Sequence, residues 1–292
     1  MGLVATSEGN FNIAFDRQLG EHILFKDKNA KHRQKFAPTV NRALFYGYDS
    51  AVLLADEWPR CTRIVRLYFE TTFDIYEAQN DTLHGEVAVF SYVYSLFNQV
   101  ALLYSNEGVY TEFSTIYIWN TPDPYTASTT DTMLRQFQNE RTNFDGDLGM
   151  LLTFKDLSSG TGYLEGLAAG FYGLCNPDTA QRLAVSQIAN VDTFPYVPIY
   201  SESVLVVTHE FGHLLGSVHT HNCYWIVDGV PNSPIDGCGE PEPEDFCTWS
   251  GPPVPGGGMG TIMSYCDMNM PPQSGYRFHF RFWSAARQCN KG

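Results

Sequence analysis

The stretch Thr208 to Thr220, THEFGHLLGSVHT, contains H-E-x-x-H extended to H-E-x-x-H-x-x-G-x-x-H. On a helix His209 and His213 lie four residues apart and share a face, so both imidazoles can reach one Zn²⁺ at about 2.0 to 2.1 Å. Gly216 can take a left-handed conformation that ends the helix and turns the chain, letting His219 bring a third nitrogen from another direction. The fourth position then stays open for water. Glu210 would project beside that water as a general base, while the metal lowers the water's pKa from about 15.7 toward 7. A structural zinc site fits less well, because such sites close the tetrahedron with a fourth protein ligand.

The elements that must hold this motif can be read on either side of it. Arg63 to Thr71 is a strand on the pattern of Ile64, Leu67 and Phe69, and a long uncharged helix follows between Glu86 and Glu107. That helix is long enough to cross a membrane. Its Phe90, Val93, Phe97, Ala101 and Tyr104 share one side, and Ser91, Ser95, Asn98 and Leu102 another, which suits a core helix of a soluble protein. Thr115 to Trp119 is a second strand, Ser128 to Glu140 a helix with Ser/Thr capping residues, and Leu148 to Phe154 a further strand. A second helical run starts near Ser201. Beyond it the chain turns rich in Gly, Pro and Cys, with little periodicity before Phe282.

Composition sets the outer bounds. The chain has 292 residues, 43% of them hydrophobic and 17% charged, which is the make-up of a globular protein with an aromatic-rich core. A net charge of -14 would repel nucleic acid before any specific contact formed. The charge is uneven: residues 1–60 hold 8 Lys+Arg and 7 Asp+Glu, net +1, so the remaining 10 and 25 give -15. The bases Lys26, Lys28, Lys31, Arg33 and Lys35 read as a solvated helix face or loop, or as a surface that docks on the acidic remainder. Met1 to Asn10 lacks the basic start and apolar run of a secretory signal.

The extended motif resembles that of the metzincin clan of zinc endopeptidases, and Gly260 to Cys266, GTIMSYC, agrees with it. In that clan a Met-containing turn runs beneath the metal, and Met263 matches it, which implies an apolar floor for the site rather than a ligand. Within the clan the chain is similar to the reprolysin or adamalysin group, especially its bacterial secreted members, over roughly residues 62–290. Gly166 to Pro177 (GLAAGFYGLCNP), HTHNCYW, DGC and GTIMSYC carry that likeness. It implies that Cys175 and Cys289 are disulfide partners, and that an exposed edge strand from about Leu164 to Ala169 pairs with an extended peptide substrate.

Departures from the group matter. It usually carries Asp after the third histidine, where this chain has Thr220, so a familiar contact to the Met-turn cannot be carried over and the floor must be supported differently. Met263-Ser264-Tyr265 resembles the Met-x-Tyr of astacins and serralysins, which makes Tyr265 a candidate zinc ligand and oxyanion stabiliser, against a packing role with its hydroxyl bonded. His221 reads as a histidine packed behind the ligand set or on the surface.

Seven cysteines indicate an oxidising compartment. Cys223, Cys238, Cys247 and Cys266 allow three pairings, all left open; a second Cys-rich metal site lacks paired C-x-x-C spacing. Cys61 is the odd one out. Its Trp58 to Cys61, WPRC, shares Pro-Arg-Cys with the cysteine switch of matrixin prosegments, though Thr62 and Arg63 break the rest of that pattern; the alternatives are a free thiol or a bond to another chain. Asp145-Gly146-Asp147 and the acidic run Pro241 to Asp245 could meet Ca²⁺, but such loops are commonly just solvated, and calcium stays unassigned.

The resemblance therefore implies an α/β (α+β), metzincin-like zincin fold: a mixed twisted sheet, an active-site helix and a loop-rich, disulfide-bonded lower part. Residues 1–60 are read as a prosegment or its remnant and 61–292 as the catalytic domain. The implied protein is a secreted, monomeric zinc endopeptidase that takes extended peptide, with neither nucleic acid nor a membrane span. The alternative is a catalytically silent zinc-holding adhesion module on the same scaffold, against which Glu210 argues.

Overall fold

Strand β5 (Val65–Thr71) falls within the stretch 63–71 read as a strand but starts at Val65, leaving Ile64 exposed before it; both of its faces are buried, and only Arg66 within it is partly exposed. A strand covered on both sides is the signature of a central position in a largely parallel sheet. In a computed structural model the described residues are 2–6, 9–16, 21–26, 35–40, 64–79, 85–158, 163–190, 202–227, 230–239 and 261–266.

The first four described segments are strands: β1 (Gly2–Thr6), β2 (Gly9–Asp16), β3 (Glu21–Lys26) and β4 (Lys35–Val40). The first three form an antiparallel sheet of their own. After β5 come helices α1 (Phe73–Gln79) and α2 (Gly85–Asn106), strand β6 (Thr111–Ile118), helix α3 (Thr130–Glu140) and strand β7 (Leu148–Thr153). Strands β8 (Tyr163–Ala168) and β9 (Leu183–Gln187) precede helix α4 (Glu202–Leu214) and a short hairpin of β10 (Ile226–Val227) and β11 (Val230–Pro231). The helix expected from Ser128 begins at Thr130 with Thr129 as its N-cap. The Thr129 hydroxyl donates to Thr132 Oγ1 at 3.1 Å and makes no side-chain bond to the backbone there, so capping of the expected kind is missing.

The main sheet runs β4-β8-β9-β7-β5-β6. Neighbours are parallel, except that β8 lies antiparallel to β9, with Gly166 opposite Ser186. The mixed sheet is as expected, but its edge is not. The β8 edge, read from the sequence as open to substrate, is lined by β4 in parallel register, Lys35 opposite Tyr163 through Val40 opposite Ala168. Six residues from the amino-terminal stretch thus use the main-chain groups that an incoming peptide would need.

Helices cover both faces of the sheet. On one, Leu67, Phe69, Met150, Leu152, Leu164 and Ala168 pack with Val93, Phe97, Val207 and Phe211 of α2 and α4. On the other, Tyr68, Leu151, Leu167 and Val185 pack with Met133, Leu134 and Phe137 of α3. Each of the Leu, Val, Met and Phe side chains taken out of water here contributes about 1.5–3 kcal/mol. By length and composition α2 could cross a membrane, with mean hydropathy 1.4 over Gly85–Ser105. In this fold its Val89, Val93, Val100 and Tyr104 face is buried, while Val87, Phe90 and Tyr94 are exposed. Phe90 thus falls outside the buried stripe assigned to it from the sequence.

One polar cluster lies inside this core. Glu70, fully buried on β5, accepts from Tyr68 Oη (2.7 Å), Trp119 Nε1 (2.7 Å), Tyr125 Oη (2.6 Å) and the Arg141 guanidinium, whose Nε lies 2.7 Å away. Burial, reinforced by the Glu70 charge, lifts the Tyr68 and Tyr125 hydroxyls well above their usual range. The cluster ties β5 to the segments after β6 and after α3.

Candidate metal centre

All thirteen residues of α4 are buried, which is how a helix apolar on most sides sits in a protein core. Phe211 meets Phe69 of the central strand edge to face, with ring centroids 5.8 Å apart. The Tyr104 hydroxyl of α2 donates to Thr208 O at 2.6 Å. The helix is therefore held just before the motif it carries and within it. Its carboxyl end is met by the loop after β8, where Gly173 N–H and Leu174 N–H donate to Leu214 O at 2.8 and 3.2 Å. Gly216 has φ of +99°, so the left-handed turn read from the sequence is present, and the chain reverses there toward His219.

The reversal brings the three histidines together. Their ligand atoms lie within 4.8 Å of one another and all three side chains are buried. The rings of His209 and His213 are 4.5 Å apart and nearly perpendicular, while His219 lies 4.7 Å from His213. His209 Nε2 and His219 Nε2 are 3.1 Å apart. Two nitrogens on a tetrahedral zinc at about 2.0–2.1 Å lie roughly 3.3 Å apart, so this spacing suits a shared ion.

The opposite ring nitrogens agree with that assignment. His209 Nδ1 lies 2.6 Å from Ile262 O, and His213 Nδ1 lies 2.8 Å from Ser217 O. A carbonyl can only accept, so each Nδ1 carries a proton, and in the neutral ring this leaves Nε2 its lone pair for a cation. The donor set, three buried imidazoles whose ligand atoms converge, fits zinc.

Glu210 is fully buried beside His209, and burial pushes its carboxyl well above the usual carboxylate range, with the Ala168 N–H pulling the other way. Strand β8 passes directly over it. A β-carbon added to Gly166 would lie 2.5 Å from Glu210 Oε1, so the absence of a side chain at 166 makes room for the carboxylate.

Beneath the histidines runs the turn Thr261 to Cys266. Met263 and Ile262 are buried in the same apolar cluster as Phe211 and Leu214. Tyr265 is buried with its ring 4.4 Å from that of His219, and the His221 ring lies 5.3 Å from Tyr265. His221 is fully buried, so of the two places expected for it the surface is ruled out. Thr220 supports the floor after all: its N–H donates to Met263 O at 2.9 Å, and its hydroxyl bonds Asp236 Oδ2. Reading the sequence missed Asp236, Gly166 and Phe171, whose ring meets His213 edge to face at 5.2 Å. Gly166 alone had a local signal, a glycine inside an edge strand.

Among the open cysteine pairings, Cys238 is joined to Cys266. Cys175 and Cys223 are disulfide-bonded as well. Cys61, Cys247 and Cys289 lie outside the described residues, so the expected Cys175–Cys289 bridge and the Cys61 switch do too. Asp236, Cys238 and Cys266 come close enough to suggest a second metal site, but the disulfide takes both sulfurs. Of the calcium candidates, Asp145 pairs with the Arg66 guanidinium at 2.8 Å and Asp147 accepts Arg66 N–H at 2.8 Å. A fixed cation already faces Asp145, so the loop gives calcium no support; the run 241–245 lies outside the described residues.

The family model Reprolysin_5, described as metallo-peptidase family M12, matches residues 61–275. No curated protein sequence matches the chain. Among solved structures, a chaperone–substrate complex is similar at 16% identity and TM-score 0.42, over 74% of this chain and 31% of that one. Metalloproteinase-II from Bacteroides fragilis is similar at 14% identity and TM-score 0.37, over 76% of this chain and 59% of that one. Archaemetzincin from Methanopyrus kandleri is similar at 16% identity and TM-score 0.34, over 55% of this chain and 79% of that one. The chain thus spans about a third and three fifths of the first two. The family match covers well over half of the 292 residues and contains all three histidines, so the chain belongs to metallo-peptidase family M12.

Proposed function

We propose that the protein is a zinc-dependent endopeptidase in which His209, His213 and His219 hold the metal and Glu210 is the general base. The convergence of three buried imidazoles, with two Nδ1 atoms bonded to carbonyls, carries the proposal. Zinc bound there would supply Lewis acidity at the scissile carbonyl and acidify a water. Glu210 takes the proton from the attacking water and passes it to the departing amine. Burial raises its carboxyl above the usual carboxylate range, which favours the protonated form that it holds between the two transfers. Water is the nucleophile, so no acyl-enzyme forms.

Met263 serves as the apolar floor. Tyr265, packed against His219, remains a candidate for steadying the oxyanion. An extended protein or peptide substrate would lie along β8, with its main chain bonded to that strand and its carbonyl over the histidines. Residues 1–60 act as a prosegment, and β4 on the β8 edge supports this: a substrate can pair there only once β4 has left. Cys61 would add a thiolate to the same latency. Disulfides in a family of this kind suit secretion into an oxidising compartment.

Casein or gelatin cleavage tests the reading. The proteolytically nicked chain should cleave, stop with a chelator and recover with zinc. A zinc-binding chain that cleaves nothing after removal of residues 1–60 would instead favour the adhesion module.

A further inference from the structure

The third histidine is the ligand least held by its own helix, because it follows the Gly216 turn. The structure closes a ring around the next residue. Thr220 N–H donates to Met263 O at 2.9 Å, and Thr220 Oγ1 lies 3.2 Å from the same carbonyl. The Thr220 hydroxyl also bonds Asp236 Oδ2, and Thr220 O accepts from Ile235 N–H at 2.7 Å. Asp236 Oδ1 accepts Cys238 N–H at 3.0 Å, and Cys238 is joined to Cys266, three residues beyond Met263. Five residues, Thr220, Asp236, Cys238, Cys266 and Met263, thus form a loop of hydrogen bonds, chain and one disulfide.

The ring reaches two of the three imidazoles. The turn that Cys266 closes also presents Ile262 O to His209 Nδ1 at 2.6 Å, and Thr220 is bonded directly to His219 in sequence. Asp236 and Thr220 are 2% and 1% exposed, so their bond is shielded from water and holds a single geometry.

We infer that Asp236 is a positioning residue for the metal centre: its carboxylate fixes the Thr220 hydroxyl, and through it His219 and the Met263 turn, in the arrangement that retains zinc. This rests on the reading of the three histidines as a zinc site. The carboxylate missing from position 220 is in effect supplied from sixteen residues downstream, on a loop that the disulfide anchors to the same turn. Partners behind a metal ligand typically change affinity by about 10–100-fold when removed.

The test uses the full chain with its disulfides intact and reads zinc affinity by competition with a chelator, with the visible spectrum of the cobalt-substituted protein as a signature of ligand geometry. Thr220→Val and Asp236→Ala should each weaken zinc binding about 10-fold or more and alter the cobalt bands. Thr220→Ser, which keeps the hydroxyl, should restore both. The double variant should be no weaker than the worse single one, because one bond is being removed twice. If Asp236→Ala does not fold, Thr220→Val against Thr220→Ser decides alone. Equal zinc affinity and unchanged cobalt bands in the variants, with a parent that binds zinc, overturn the inference. A parent that takes up no zinc overturns the metal-site reading itself, and the inference with it.

Discussion

Gly166 and Glu210 touch backbone to carboxylate: a β-carbon on the glycine would stand 2.5 Å from Oε1 and 2.6 Å from Cγ of the glutamate. The strand over the cleft and the helix under it are thereby set at a spacing close enough that a side chain at 166 would have to displace the Glu210 carboxylate. Leu164 and Ala168, on the same face of β8, pack into the α4 side of the core and hold that spacing from either end.

Gly166→Ala should therefore displace the Glu210 side chain while leaving the three histidines in place. Overpacking of this kind costs about 1–3 kcal/mol. The expected outcome is a fall in kcat of at least about 10-fold with bound zinc unchanged, read by peptide cleavage alongside metal analysis. Unaltered kcat would show that Glu210 has room to move.

Removing Arg141 tests the buried Glu70 cluster, which stands apart from the histidines. Arg141 side chain is 18% exposed and Glu70 wholly enclosed, so Arg141→Met strands a carboxylate with only neutral donors around it. Loss of one partner of a buried pair costs on the order of 3 kcal/mol. Urea unfolding should show that loss, with zinc content intact. A change under about 1 kcal/mol would mean that the tyrosine and tryptophan donors suffice.

Much of the centre was legible in the sequence because its parts lie close along the chain. His209, Glu210 and His213 occupy one helix turn, and Gly216 announces its own φ. The rest was hidden for physical reasons. Thr220 meets Asp236 across an irregular loop with no periodicity, and nothing local to either residue predicts the bond. Glu70 draws its partners from positions 68, 119, 125 and 141, a convergence that only the sheet creates. The β8 strand was expected, whereas its neighbour β4 contains Pro38 and starts at the end of a basic cluster, features that hide a strand from the sequence although a proline is tolerated at the sheet edge that β4 takes.

Latency separates into two contributions that can be measured independently. If β4 blocks the cleft, limited proteolysis between β4 and β5 should raise casein cleavage several-fold as the amino-terminal fragment dissociates. If Cys61 adds a thiolate to the metal, Cys61→Ala should raise the basal activity of the uncut chain. Activity that is already maximal in the uncut chain, and unmoved by either change, would remove the prosegment reading.

The most direct measurement compares zinc per chain and casein cleavage in the nicked parent and in Glu210→Ala, prepared side by side. The expected result is one zinc in each, with cleavage in the parent alone. Cleavage that persists without Glu210, or a parent that holds no zinc, would contradict a hydrolytic centre built from His209, His213, His219 and Glu210.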